Sequence, residues 1–225
     1  VFPGDLNTAK PEFLDAYEAG LKTRLFNRRL TLNLSAFHYI FKDQQFINSV
    51  SVINQQLVNA GSSRINGLEA EITAALTPRL RLSAGLGLLD AKYTKLTLTG
   101  VDLSGNRLIE APKFTMNLAA DYAVPLSSSI DLTLHGDMVH KSKQYFTAYN
   151  DTVFPFSLGV TPGFEEYNAR IGLSFEGGKY NLGLWGKNLS DNDTLAGIGI
   201  ETNTNLRFGT VPYPRRYGVD FQAKF

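Results

Sequence analysis

The chain has 225 residues and no cysteine, and its 22 basic and 21 acidic side chains leave a formal net charge of +1. That balance gives no reason to expect nucleic acid as a partner, and without Cys there is no disulfide, thiolate metal site or thiol nucleophile. Mean hydropathy is −0.13, and no stretch approaches the ~18 consecutive apolar residues of a membrane helix. A transmembrane β-barrel escapes both tests, because its lipid-facing and lumen-facing residues alternate and average out. The first residues, "VFPGDLNTAK", lack the basic and apolar regions of a signal peptide.

In chain order, a strand is predicted over about 12–25, followed by the polar break "FNRR" and a second strand over about 29–42. The second sets Leu30, Leu32, Leu34 and Ala36 against Thr31, Asn33 and Ser35. Beyond Phe37 aromatics occupy both parities and the face is ambiguous. A long irregular stretch around 43–63 leads to a strand over about 64–76, with Leu68, Ala70, Ile72 and Ala74 opposite Gly67, Glu69, Glu71 and Thr73. After "TPR", a strand over about 80–93 places Leu80, Leu82, Ala84, Leu86 and Leu88 opposite Arg81, Ser83, Gly85 and Gly87. A second long stretch, around 93–112, precedes a strand over about 113–124 with Phe114, Met116, Leu118, Ala120 and Tyr122 on one side. "PLSSS" then leads into a strand over about 130–146, and a third long stretch spans about 147–165. Strands over about 166–176 and 180–190 flank "EGGK"; the first sets Tyr167, Ala169, Ile171, Leu173 and Phe175 against Asn168, Arg170, Gly172, Ser174 and Glu176. A fourth long stretch covers about 191–214. The last strand, about 215–225, carries Tyr217, Val219, Phe221, Ala223 and Phe225 on one face and Arg216, Gly218, Asp220, Gln222 and Lys224 on the other.

The tight breaks recur roughly every 50 residues, so antiparallel strands are joined alternately by tight turns at one end and long loops at the other. Many of these nine strands exceed the usual 5–6 residues and match the ~9–11 tilted residues that cross a bilayer. A soluble lipocalin-like barrel or sandwich would fill its interior with apolar side chains, whereas the second face here carries Arg, Glu, Lys and Asp. The expected fold is therefore an all-β, antiparallel transmembrane barrel. Bacterial barrels have an even strand number with short turns on the periplasmic side. Nine strands ending on the short-turn side are expected to be part of a larger barrel.

The segments "AKPEFLDAYEAGLKTRLFNRRLTLNLSAFHYIFKDQQ", "NAGSSRINGLEAEITAALTPRLRLSAGLGLLDAKYT", "DLSGNRLIEAPKFTMNLAADY", "YNLGLWGKNLSDNDT" and "PRRYGVDFQAKF" resemble the C-terminal half-barrel of the TonB-dependent outer-membrane receptors. The resemblance covers essentially the whole chain. It implies a plugged barrel of about 22 strands, of which these would be the last nine, residues 1–225 forming the C-terminal portion of the barrel. The family's plug and TonB box, which would engage the TonB complex, are not among these residues. The resemblance also implies residence in the outer membrane of a Gram-negative bacterium, contact with outer-membrane lipid, and a periplasmic C-terminus. Tyr217, Val219, Phe221 and Phe225 then look like the signal read by the barrel-assembly machinery.

No catalytic constellation stands out: there is no G-x-S-x-G elbow and no H-E-x-x-H, and no enzyme, catalytic residue or cofactor is expected. His38, His135 and His140 stand apart in sequence, so no protein-ligated metal is expected; iron would arrive inside a chelate. Asp191, Asn192 and Asp193 look like a turn rather than a calcium loop. Inward pairs such as Glu69 with Glu71, or Arg170 with Glu176, look like a solvated lumen wall. Function is expected in the long loops. The third carries Tyr145, Phe146, Tyr149, Phe154, Phe156 and Phe164, and the fourth Phe208 and Tyr213 with Arg207, Arg215 and Arg216. Of these, Phe146, Tyr149, Phe154, Phe156, Arg207, Phe208 and Tyr213 are the candidate ligand contacts, since aromatic faces and cations suit an aromatic or anionic ferric chelate. The alternative is that such aromatics belong to the interfacial girdle or pack the loops together. The first loop, "NSVSVINQQLVN", offers hydrogen-bonding groups suited to a sugar or hydroxamate. The leading expectation is TonB-energised uptake of a ferric siderophore. Import of cobalamin, haem or oligosaccharide stays open, as does a passive porin-like or structural barrel.

Overall fold

A computed structural model describes residues 9–51, 54–151, 159–201 and 206–224. Its strands are β1 (Phe13–Leu25), β2 (Leu30–Ser51), β3 (Asn54–Ala75), β4 (Leu80–Leu98), β5 (Val101–Asp102), β6 (Phe114–Pro125), β7 (Ile130–Lys141), β8 (Gln144–Tyr145), β9 (Val160–Thr161), β10 (Phe164–Phe175), β11 (Tyr180–Lys187), β12 (Gly197–Glu201), β13 (Leu206–Thr210) and β14 (Arg216–Ala223). Nine of them lie side by side in the order β1-β2-β3-β4-β6-β7-β10-β11-β14, with β5 paired to the top of β4. Every pairing is antiparallel and joins sequence neighbours. Such a meander follows from the short turns, which leave the chain no room to reach any other partner. The nine strands coincide with the predicted ones.

Register keeps each face chemically uniform, because cross-strand partners share a side of the sheet. Ala70 and Ile72 oppose Leu86 and Ala84, and Leu86 and Ala84 oppose Met116 and Leu118. On the other face Glu71 opposes Gly85, and Arg81 opposes Asp121. The apolar face is the exposed one: Leu184 is 57% exposed, Leu68 55%, and Tyr217, Val219 and Phe221 65–68%. Such a surface has no place in water and is what a lipid-facing wall requires. Tyr122, Phe175, Tyr180 and Phe221 form an outward belt near the tight turns, where Tyr180 and Phe221 stack at 6.4 Å. Tyr17, Phe114, Tyr167 and Tyr217 occupy the same face near the loops. About eight residues, or roughly 26 Å along a strand, separate the belts, matching the apolar band and its aromatic girdles. Pairing also resolves the upper half of β2: Phe37, Tyr39 and Phe41 share the inward face with Ser35, while His38 and Ile40 point outward.

Four of the predicted irregular stretches hold structure. The first is a β-ribbon, since β2 and β3 stay paired through Ser51 and Asn54 with bulges near Gln44. The fourth contains the β12–β13 hairpin, and short pairs β4–β5 and β8–β9 lie in the second and third. These bridges satisfy backbone groups that would otherwise need water. In compensation, β7 ends at Lys141 and β11 at Lys187, earlier than predicted. Among the described residues the buried core lies at the loop end of the sheet: Tyr93, Leu96 and Leu98 at the top of β4 pack with Leu103 and Tyr149 of the loops, and Phe46 and Leu108 lie against them.

Candidate functional site

At the loop end, the second and third long loops form one folded unit. The segment after β5 runs beside the top of β4, where the Tyr93 N–H donates to the Asn106 carbonyl at 2.9 Å and the Leu108 N–H to that of Ala91 at 3.1 Å. Asn150 bonds both backbone groups of Arg107: its Oδ1 accepts the Arg107 N–H at 2.9 Å and its Nδ2 donates to the Arg107 carbonyl at 3.0 Å. The Asn106 amide donates to the Ala148 carbonyl at 3.0 Å. The Ser104 hydroxyl, and then the Ser104 backbone N–H at 2.9 Å from Asp102 Oδ1, hold the Asp102 carboxyl below the usual carboxylate range. Lys143 Nζ donates to Asp151 at 2.6 Å, lowering that carboxyl and raising the lysine.

The candidate ligand residues fall into different places. Tyr149 is only 7% exposed and belongs to the loop core, its hydroxyl 2.9 Å from Thr99 Oγ1. It packs the loops and offers no surface. Phe146 is half-buried, with its N–H bonded to the Gly159 carbonyl at 2.7 Å. Phe154, Phe156 and Phe225 lie outside the described residues. Arg207 and Phe208 are exposed neighbours on β13, so they point to opposite faces of the hairpin and do not converge. Tyr213, 74% exposed, does meet a cation, but from another residue: the Arg216 guanidinium lies 4.4 Å from its ring centroid.

Beneath the loops the inward wall is polar and connected. Arg170 makes a bidentate pair with Asp220 at 3.0 and 2.7 Å, crossing over Gly183 of the intervening strand. A Cβ on Gly183 would lie 2.2 Å from the guanidinium, so the crossing needs that glycine. Arg170 thus stands on the inward wall as expected, whereas Glu176, read from the sequence as its inward neighbour, sits in the β10–β11 turn instead. A second chain links Asp121, His135, Asp137 and Asn168 at 2.8, 3.2 and 2.8 Å. Asn168 Oδ1 then accepts the Asn188 N–H at 2.9 Å, and Asn188 Nδ2 donates to the Asn192 and Tyr213 carbonyls. Asp191–Asp193 therefore form an Asn188-centred turn, as expected, and Arg215 closes on Asp191 at 3.3 Å. Asn188 and Asn150, each nearly buried, went unnoticed in the sequence; "KNLSDND" held the only cue, an Asx-turn composition.

The sequence model of the family described as "TonB dependent receptor-like, beta-barrel" matches residues 2–189. The chain belongs to this family. TonB-dependent receptors are outer-membrane β-barrels, and transport receptors rather than enzymes. Similar relatives include the ferric-pyoverdine M114 receptor PbuA of Pseudomonas sp. strain M114, 26% identical over 227 residues, 98% of this chain and 25% of PbuA. The metal-pseudopaline receptor CntO of Pseudomonas aeruginosa is 33% identical over 112 residues, 50% of this chain and 15% of CntO. Among solved structures, the ferric yersiniabactin uptake receptor FyuA of Yersinia pestis superposes with a TM-score of 0.76 at 17% identity, over 95% of this chain and 30% of FyuA. The chain thus spans about a quarter of the length of PbuA, and the FyuA match concerns the fold. The nine-stranded sheet is part of a TonB-dependent barrel.

Proposed function

We propose that the protein containing this chain imports a ferric siderophore, or a similarly scarce metal chelate, across the outer membrane with energy supplied through TonB. The observation that supports this most is the combination of a wall greasy outside and charged inside with loops that fold together over one end. Within it, Tyr213, Arg216 and Phe208 form the exposed aromatic and cationic rim. PbuA and CntO, receptors for metal chelates by name, fit the same reading. Residues 1–225 would supply the C-terminal part of the barrel, with the long loops outside and the C-terminus periplasmic. A plug with its TonB box, and the remaining strands, would come from elsewhere in the protein.

The test is uptake of radioactive ferric chelates by iron-starved cells. Deleting the gene should abolish accumulation of one chelate, and so should removing TonB or collapsing the proton gradient. Accumulation that persists without TonB would point to a passive pore and overturn the proposal.

A further inference from the structure

His135 of β7 has a carboxylate oxygen at each ring nitrogen, Asp121 at 2.8 Å from Nδ1 and Asp137 at 3.2 Å from Nε2. A neutral imidazole carries a single N–H and donates to only one of them. The two bonds therefore exist together only in the imidazolium. Other charges face the ring from the neighbouring strands. Asp121 of β6 opposes Arg81 of β4, and Arg170 of β10 stands directly opposite His135, engaged with Asp220 of β14. Lys187 and Arg216 line the same inward hollow.

Asp137 extends the reach of the ring beyond its own strand. Its other oxygen accepts the Asn168 amide at 2.8 Å, and Asn168 Oδ1 accepts the Asn188 N–H at 2.9 Å. Asn188, 3% exposed, organises the turn at the base of the fourth long loop. Its Oδ1 accepts the Asn192 N–H at 2.8 Å, and its Nδ2 donates to the Tyr213 carbonyl at 3.1 Å. Tyr213 in turn carries the Arg216 guanidinium over its ring. Deprotonation acts at one end of this chain. The shorter bond, to Asp121, keeps the remaining N–H, and the bare Nε2 lone pair then faces Asp137. Two acceptors in contact repel, so Asp137 turns from the ring and Asn168 loses the partner that orients it.

We propose that His135 is a pH-operated latch on the last long loop: charged, it holds the Asn188 turn through Asp137 and Asn168; neutral, it lets that turn loosen. The sign follows from the bonds. The latch is closed in acid and opens as pH rises through the histidine range. Because the chain of bonds ends on Tyr213 and Arg216, a closed latch also fixes the aromatic and cationic rim. Only this last consequence rests on the import reading; the latch itself does not.

The full-length receptor in detergent, with no chelate present, should be followed by hydrogen exchange from about pH 5 to about pH 8. Protection at residues 188–194, corrected for intrinsic exchange, should fall about tenfold across this range, as expected for one lost bond to a charged group. H135Q should show no such fall. H140Q is the control, because His140 lies 3.3 Å from Glu165, whose carbonyl accepts the Ser190 hydroxyl at 2.8 Å. It should keep the wild-type profile. Flat protection in the wild type, a fall that survives in H135Q, or a fall lost in H140Q would overturn the latch. Should H135Q not fold, the wild-type and H140Q profiles still decide. No chelate enters the measurement, so its outcome is separate from that of the uptake test.

Discussion

Asn150 joins the second and third loops with one amide. It is 5% exposed and satisfies the N–H and the carbonyl of Arg107 together. Replacing it with Ala strands both backbone groups away from water, where each unsatisfied group costs about 1–3 kcal/mol. Asn150→Ala should raise hydrogen exchange at residues 103–108 by a factor of about 30 or more, leaving the strands protected. Unchanged exchange there would mean the loops are held by the Tyr93–Leu96–Tyr149 core alone. The Lys143–Asp151 pair acts differently because it titrates. Its Asp151 carboxyl is lowered and its Lys143 amine raised, each chiefly by the bond to the other. The stabilisation is therefore complete between the ordinary carboxylate and lysine ranges. It is lost at the acid end as pH falls through the lowered Asp151 value, and at the alkaline end as pH rises through the raised Lys143 value. Loop exchange followed against pH should show an acid step in the wild type that Asp151→Asn abolishes; a step surviving in the variant would assign it to another group.

The strands were legible because lipid and water impose opposite demands on alternate residues. Leu82 and Leu118 lie on the exposed apolar face, Ser83 and Asn117 on the polar one. Arg at either leucine should destabilise the full-length barrel by about 2–4 kcal/mol near mid-membrane, while Arg at Ser83 or Asn117 should be nearly neutral. Heat-modifiability on gels reads the difference, and equal tolerance at both sets would reverse the faces. Gly183 is no fit control for the inward face: it lies under the Arg170 guanidinium, and even Gly183→Ala should break the Arg170–Asp220 pair. The β2–β3 ribbon was illegible for the same physical reason that the strands were clear. Between 43 and 63 polar side chains fall on both parities, Asp43, Gln45 and Asn59 on one and Gln44, Asn54 and Gln56 on the other, so alternation carries no signal there. Nor did composition separate Tyr149, which packs, from Tyr213, which is exposed; burial in a loop core depends on partners some 50 residues away, such as Thr99. At the last strand, Tyr217, Val219 and Phe221 stand outward, and we propose that they serve, with Phe225, as an assembly signal. Removing Phe225 from the full-length protein should lower the amount assembled in the outer membrane without altering ligand affinity per assembled molecule. Normal assembly would refute that role.

At the scale of the whole molecule, the sheet ends in two strands, β1 and β14, each paired on one side only among the described residues. Hydrocarbon offers no partner for the N–H and C=O groups along those edges, each costing several kcal/mol. The outward face adds to the difficulty: Leu184, Val219 and Phe221 are all more than half exposed, so water is no refuge either. Residues 1–225 expressed alone should therefore neither insert as a functional monomeric pore nor bind a ferric siderophore with the affinity of the full-length receptor. If the isolated chain is found ordered in a bilayer, β1 and β14 should be paired with another polypeptide, either the rest of the receptor supplied in trans or a second copy. Conductance across planar bilayers and ligand binding by fluorescence quenching decide the matter together. Stable single-channel steps from a monomer, or full-strength binding, would show that nine strands suffice; silence from the chain alone, with recovery when the remaining receptor segments are added, is the expected result.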